Sequence, residues 1–187
     1  MRTASRPIAR TSACDAHISI DTARTEGALG DVRELMRAYL AWQLARKGKD
    51  RHLIDQYFDA VAYETGLSLL PNEFAEPSGR LLVAYIDGAA VGCVAMRDLG
   101  DGYCEMKRLF VHEAAQGCGV GRRLAEALIQ EAKGAGYKAM RLDTSEGQAS
   151  AVSLYGKLGF KRVLPYYEMS AELAQWLLFF ELNLQAR

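Results

Sequence analysis

Three apolar runs of strand length follow one another between residues 81 and 111, and the turns that join them leave little choice of fold. Residues 81–86 and 90–96 flank Asp87-Gly88, and residues 103–111 follow a second turn at Gly100, Asp101 and Gly102. Asp-Gly between two apolar runs is a strong hairpin signal. The three runs therefore predict an antiparallel meander. After it comes Gln116-Gly117-Cys118-Gly119-Val120-Gly121-Arg122, opening a run with Val120, Leu124, Ala125, Leu128 and Ala132 on one helical face. Glycine lets a backbone approach a ligand closely, and the first N–H groups of a helix have no intrahelical partner. With the positive end of the helix dipole, those donors make an anion site suited to phosphate or pyrophosphate.

The flanking sequence alternates helices and strands. Residues 17–21 alternate weakly, as a short first strand would. Asp31 with Glu34 three residues on reads as a capping box, followed by Val32, Leu35, Met36, Tyr39, Leu40 and Leu44 at helical spacing until Gly48. Asp50 opens a second helix with Ile54, Tyr57, Phe58, Val61 and Ala62 on one face, ending at Gly66. Residues 67–79, with two prolines, read as a loop. Beyond the glycine loop, the helix ends in Gly134 and Gly136. A short strand is expected at 140–142 and a helix at 149–158, which Gly159 stops. The last two strands are expected at 160–164 and 176–184. No repeat, low-complexity stretch or linker divides the 187 residues, a length that suits one domain. Residues 1–16, which carry Arg2, Arg6 and Arg10, are expected to be a disordered tail, and residues 17–187 the domain.

Lys plus Arg and Asp plus Glu are 23 each, so no global field draws nucleic acid or an anionic membrane. The longest strongly apolar run, residues 176–180, falls far short of the roughly 18 residues that a bilayer span needs. Cys14, Cys93, Cys104 and Cys118 show neither metal-ligand spacing nor a C-x-x-C pair. Reduced thiols, no metal and a cytoplasmic location are the expectation.

Several phosphate-binding readings of the glycine loop compete. The Gly-Lys-Ser or Gly-Lys-Thr of a Walker loop is absent. A dinucleotide fingerprint fails because the sixth position from Gly117 is Arg122, and because a meander, not a βαβ unit, precedes the loop. Glycines that merely turn the chain remain an alternative, although three of them in five residues carry a high entropic cost on ordering. Two segments carry a resemblance. Val111 followed by Gln116-x-x-Gly119-x-Gly121 resembles the acetyl-CoA signature of the GNAT acyltransferases. Ala151-Val152-Ser153-Leu154-Tyr155-Gly156-Lys157-Leu158-Gly159-Phe160 is similar to the family's A-x-x-L-Y-x-K-L-G-F segment. The likeness extends over nearly the whole chain apart from the tail. It implies the GNAT acyl-CoA N-acyltransferase fold, an α+β three-layer αβα arrangement. Its sheet is mixed, mostly antiparallel and twisted, flanked by helices and splayed where CoA inserts. Cys104-Glu105-Met106-Lys107-Arg108-Leu109 and Arg141-Leu142-Asp143-Thr144 further resemble a bacterial GNAT group whose acceptors are poorly defined.

The resemblance implies an N-acetyltransferase that moves the acetyl group of acetyl-CoA to a primary amine by direct attack, the acceptor being a small molecule or a peptide. It assigns the CoA pyrophosphate to the backbone of Gln116, Gly117, Cys118, Gly119, Val120, Gly121 and Arg122, with Arg122 adding a charged contact or standing as a solvated charge. The backbone of Leu109, Phe110 and Val111 would pair with the pantetheine arm like an added strand, and an N–H there would polarise the thioester carbonyl. Gln148 stands where the family often has asparagine against that arm. Tyr155 is the candidate acid for the leaving thiolate, its alternative being an aromatic core residue at a helix end. A phenol of ordinary pKa near 10 is protonated at neutral pH and can donate.

Glu105 is the candidate base, and a strand period of two would set Glu105, Lys107, Leu109 and Val111 on one face. An ion pair with Lys107 is the alternative for Glu105, and His52 and His112 are weaker candidates. Tyr39, Trp42 and Arg46, opposite Tyr166, Tyr167 and Glu168, are nominated for the acceptor. Cys118 lies in the pyrophosphate loop, away from the thioester, which argues against a covalent acyl-enzyme. A CoA-binding regulatory module without turnover and a nucleotide-binding protein are the rival readings. The apolar final strand is either covered within the subunit or part of a homodimer interface.

Overall fold

The computed structural model describes residues 17–45 and 50–185. Expectations for residues 1–16, Gly48, Arg46 and Cys14 lie outside the described residues. The elements run β1 (Ile18–Thr22), α1 (Glu26–Ala45), α2 (Arg51–Tyr57), α3 (Ala60–Ser68), β2 (Arg80–Ile86), β3 (Ala89–Gly100), β4 (Tyr103–Val111), α4 (Val120–Gly134), β5 (Ala139–Ser145), α5 (Ala149–Lys157), β6 (Lys161–Val163), α6 (Ala171–Trp176) and β7 (Leu177–Asn183). One seven-stranded sheet has the order β1-β2-β3-β4-β5-β7-β6.

β2, β3 and β4 are the expected meander. Asp87 and Gly88 adopt φ 49° and 79°, and Asp101 and Gly102 adopt 53° and 84°. Both Asp-Gly pairs thus supply the two positive φ values of a type I′ hairpin turn. The strands read as continuous apolar runs because helices cover both faces of the sheet. Leu82, Ala84, Val94 and Met96 pack with Leu124, Ala125 and Leu128 of α4. Leu81, Val83, Cys93 and Ala95 pack with Val32, Leu35 and Met36 of α1 and with Leu67 of α3. The result is three layers, helix on sheet on helix.

Among the described residues only β4 and β5 pair in parallel, and only over Tyr103↔Ala139, Cys104↔Met140 and Glu105↔Arg141. Beyond Glu105, β4 follows β3 as far as Val111, while β5 follows β7 as far as Ser145. The two central strands therefore part, and a gap opens in the middle of the sheet. At the same place β4 bulges: Cys93 faces Phe110 but Ala95 faces Lys107, so β4 takes three steps against two. Arg108 carries the irregularity with φ +59°. The bulge breaks the expected single face of Glu105, Lys107, Leu109 and Val111. Leu109 and Val111 pack on the α4 side, whereas Phe110 joins the α1 side and Lys107 reaches Tyr57 of α2.

Other boundaries move for identifiable reasons. α1 begins at Glu26 rather than after Asp31, with Thr25 Oγ1 accepting from the Ala28 N–H at 3.2 Å. Asp31, inside the helix, accepts from the Tyr85 hydroxyl at 2.8 Å instead. The second helix is two helices, because Asp59 Oδ1 accepts from the N–H groups of Val61 and Ala62, both at 2.9 Å, and starts α3. Val61 consequently stands 78% exposed and not on the apolar face. A helix that the residue pattern does not signal, α6, is capped by the Ser170 hydroxyl, which accepts from the Leu173 N–H.

The final strand is covered within the subunit. Leu177 to Phe180 are each 5% exposed or less, and β5 and β6 pair with β7 on its two sides. Cys93 and Cys104 are free and buried, and burial pushes both thiols up to about 12. Cys118 is not free, so the expectation of reduced thiols holds for the two buried ones. Among the described residues no helix is long and apolar enough to cross a membrane, and no cluster of His, Cys, Asp or Glu could hold a metal.

Gly92 fixes how closely β3 and β4 approach near the gap. A Cβ there would stand 2.8 Å from the Phe110 carbonyl oxygen and 3.1 Å from Leu124 Cδ1. The first of these is backbone and cannot swing away. Gly92→Ala is expected to destabilise the fold by about 1–3 kcal/mol, read as a lower midpoint in denaturant or thermal unfolding.

Candidate active site

The glycine loop delivers the geometry that its composition suggests. β4 ends at Val111, a single 3₁₀ turn (Glu113–Ala115) follows, and Gly117 and Gly119 then adopt φ +85° and +81°. Gly119 is the N-cap of α4. The first helical bond runs from the Arg123 N–H to the Gly119 carbonyl at 3.0 Å. The N–H groups of Gly119, Val120, Gly121 and Arg122 therefore point off the helix end without intrahelical partners, at the positive end of the dipole. A Cβ at Gly121 would meet Val111 Cγ2 at 3.5 Å and Leu154 Cδ2 at 3.9 Å, so the loop end lies beside the residue preceding Tyr155. Two side chains serve the scaffold. Gln116 Nε2 donates to the Val111 carbonyl at 3.1 Å, tying down the end of β4. Arg122 is mostly exposed and pairs with Glu126 one turn on.

A cleft of about 460 Å³ occupies the gap between β4 and β5. Leu109, Gln148 and Tyr155 line it, as do Tyr39, Tyr57 and Tyr166. Tyr155, 6% exposed, projects from α5, and its ring is held edge-on by Phe160 and tilted against Phe180, with centroids at 5.8 and 6.2 Å. No buried side-chain oxygen or nitrogen is left without a partner among the described residues. The Tyr155 hydroxyl has no hydrogen-bonding partner there, so it opens onto the cleft rather than into the core. Burial raises its pKa well above the ordinary phenol value, with Tyr39 and Asp143 adding and Lys107 opposing.

Glu105 is completely buried yet fully engaged. Arg97 Nε donates to its Oε2 at 2.7 Å and the Tyr166 hydroxyl to its Oε1 at 2.7 Å, with Lys107 Nζ 3.7 Å away. The ion-pair alternative is thus present, with Arg97 rather than Lys107 as the close partner. Lys107 instead donates to Asp143 Oδ1 at 2.7 Å and to the Tyr57 hydroxyl at 3.1 Å, while that hydroxyl donates to Asp143 Oδ2. Burial works against the Lys107 charge, but Asp143 and Glu105 outweigh it and raise its pKa. Burial, and then the neighbouring carboxylate, likewise raises Tyr57 and Tyr166, which keeps both phenols protonated.

Of the residues nominated for the acceptor, Tyr39, Tyr166 and Tyr167 line the cleft. Trp42 stacks behind Tyr39 at 6.4 Å and does not line it, and neither does Glu168. Phe110 and Val111 flank the cleft from the two faces of the sheet, outside its lining. His52 is exposed beside Glu172, and His112 caps the 3₁₀ turn. The sequence does not single out Tyr57, Arg97, Arg108, Asp143 and Trp176 as site residues. Their only signal is charge or ring placed inside apolar strands and helix ends, which marks buried polar clusters but not their partners.

The acetyltransferase (GNAT) family model matches residues 50–160. An uncharacterised N-acetyltransferase of Schizosaccharomyces pombe is 35% identical over 153 residues, 81% of this chain and 87% of that protein. The IAA acetyltransferase of Azospirillum brasilense is 42% identical over 112 residues, 59% of this chain and 71% of that protein. The PaiA N-acetyltransferase of Thermoplasma acidophilum, solved in complex with coenzyme A, shares the fold. Its TM-score is 0.68 at 18% identity, over 89% of this chain and 99% of that one. The split sheet, the helix-end loop and the matched sequence agree: the chain belongs to the GNAT acetyltransferase family and is an N-acetyltransferase of that fold.

Proposed function

We propose that the protein transfers the acetyl group of acetyl-CoA to a primary amine by direct attack, without a covalent acyl-enzyme. The observation that carries this reading is the cleft between the parted strands, with the unpartnered Tyr155 hydroxyl in its wall and the free N–H groups of α4 beside it. The N–H groups of Gly119 to Arg122 suit the pyrophosphate. The edge of β4 from Leu109 to Val111, where β5 has parted from it, suits the amide-bearing pantetheine arm, and Gln148 at the start of α5 offers that arm an amide. An N–H of Leu109 or Val111 polarises the thioester carbonyl, a role in which preorganised donors are most effective. Acetyl-CoA, when bound, supplies an activated acyl group on a thiolate leaving group. The amine nitrogen forms a bond to the acetyl carbon and loses a proton to solvent water. The carbon–sulfur bond breaks, Tyr155 gives its proton to the departing sulfur, and solvent then returns a proton to the Tyr155 oxygen. Glu105, with both oxygens occupied, holds Arg97 and Tyr166 in the cleft wall.

A ligand that binds only the native state at a hundred times its Kd stabilises it by about 2.7 kcal/mol. For a domain of this size that is a rise of about 5–10 °C in melting temperature. Acetyl-CoA is expected to produce such a rise, and NAD and ATP are not. A panel of amino acids, polyamines, aminoglycosides and peptide N-termini then reveals the acceptor class as amine-dependent release of free CoA thiol. Stabilisation by ATP alone would sink the reading. Tight acetyl-CoA binding with no amine acetylated would instead mark a CoA-binding module.

A further inference from the structure

Four cations line the cleft, and three have acids. Arg97 is shared by Glu105 at 2.7 Å and Glu73 at 2.9 Å, Lys107 pairs with Asp143 at 2.7 Å, and Arg141 pairs with Glu181 at 2.8 Å. Arg108 is different. Among the described residues no carboxylate lies within ion-pair distance of its guanidinium. The group lies 4.3 Å from the centroid of the Tyr63 ring and 5.9 Å from that of Phe74, with Nη1 3.8 Å from Met36 Sδ. Those contacts are neutral. Aromatic faces orient a guanidinium and compensate part of its desolvation, but they do not neutralise it. A guanidinium keeps its charge at every accessible pH, so a partly buried one without an acid has an unmet electrostatic demand.

The backbone at this residue is also unusual. A positive φ at a non-glycine residue is strained, and here it places Arg108 immediately after Lys107 on the α1 side of the sheet. Without the bulge, alternation would turn residue 108 toward the α4 core. The strained conformation thus presents a charged fork to the cleft, one residue from Leu109, where the thioester carbonyl is assigned.

We propose that the acceptor is an amino acid whose carboxylate is held by Arg108 while its amino group faces the thioester. This rests on the acetyltransferase reading given above. Guanidinium and carboxylate match as two parallel charge-assisted hydrogen bonds, which fixes orientation as well as charge. Tyr39, Tyr57, Phe58 and Trp176 form an aromatic wall of the same cleft, suited to an apolar side chain.

The test offers each of the twenty proteinogenic L-amino acids beside its C-terminal amide, with polyamines and aminoglycosides as further arms. Release of CoA thiol is the readout. The preferred acid is expected to exceed its amide at least tenfold in kcat/KM. Arg108→Gln is expected to raise KM for the acid at least tenfold, with kcat changed far less and KM for acetyl-CoA unchanged, and Arg108→Lys to recover part of the loss. A readout that needs no variant is the melting temperature of the native protein with CoA, which the acid raises and the amide does not. Equal use of amides or polyamines would overturn the proposal while leaving the acetyltransferase reading intact. Equal losses on acid and amide, or weakened acetyl-CoA binding, in Arg108→Gln would also overturn it. Absence of acetylation in every arm, with acetyl-CoA bound, would remove both readings.

Discussion

Tyr155→Phe is expected to lower turnover by about 10²–10⁴-fold, the usual contribution of a positioned proton donor, while leaving affinity for acetyl-CoA essentially unchanged. The substitution is clean for structural reasons. The Tyr155 ring contacts Phe160 and Phe180, and phenylalanine keeps both contacts. The hydroxyl has no partner among the described residues, so its removal orphans nothing in the core, and the melting temperature should hold. The proton's availability is also secure. Burial, with Tyr39 and Asp143, raises the Tyr155 pKa against the smaller opposing effect of Lys107. A raised phenol pKa extends the range in which the proton is present, so the donor stays loaded through neutral and mildly alkaline pH. No loss of wild-type activity should therefore trace to Tyr155 across about pH 6–9, a window well below even an unperturbed phenol. Steady-state rates at saturating acetyl-CoA, with calorimetric titration of CoA, check both halves. A variant as fast as wild type would remove Tyr155 from the mechanism.

What the sequence discloses about this fold is what local chemistry decides. Asp87-Gly88 and Asp101-Gly102 set their turns with their own φ preferences, so the meander is legible in the residues themselves. Gly117 and Gly119 take left-handed conformations at the start of α4 for the same reason. Tyr155 is legible through the segment around it. The misread boundaries fail where a distant partner overrides a local signal. Asp31 and Glu34 have the spacing of a capping box, yet the Tyr85 hydroxyl, from β2 beneath α1, claims the Asp31 carboxylate. Asp59 has the look of an interior residue of one helix, and its two backbone acceptances divide that helix instead.

The bulge at Arg108 is the most consequential illegible feature. Nothing in Lys107-Arg108-Leu109 announces a positive φ, because the extra residue is set by registry with β3 and not by a glycine. It reverses the alternation from which the facing of Leu109 and Val111 is expected. The Lys107–Asp143–Tyr57 cluster is hidden differently. Its members come from β4, β5 and α2, and they meet only in the folded protein, at the gap where β4 and β5 part. A lysine and an aspartate inside apolar strands each require a buried partner, but one sequence does not name it.

Glu105 is where stability and catalysis separate experimentally. Removing one member of a buried ion pair costs about 3–5 kcal/mol, because the other charge is left uncompensated. For Glu105→Ala the lower end applies. Arg97 is one-third exposed and keeps Glu73, while Tyr166 loses its acceptor in the cleft wall. The expected result is a fall of about 6–12 °C in melting temperature, using about 2–4 °C per kcal/mol for a domain of this size. Glu105→Gln keeps the volume and one acceptor oxygen for Arg97 or Tyr166, so it should fold with a smaller loss. It therefore reports on chemistry. If Glu105 holds the wall in place, the glutamine variant loses less than about tenfold in kcat, and its pH–rate profile keeps the acidic limb of the wild type. A general base would behave otherwise, with a loss of about a hundredfold or more and disappearance of that limb. The second outcome in a folded variant would make Glu105 the proton acceptor, and the Tyr166 hydroxyl, 2.7 Å from its Oε1, the route from the cleft. The first outcome is the expected one, because Arg97 and Tyr166 already occupy the two carboxylate oxygens.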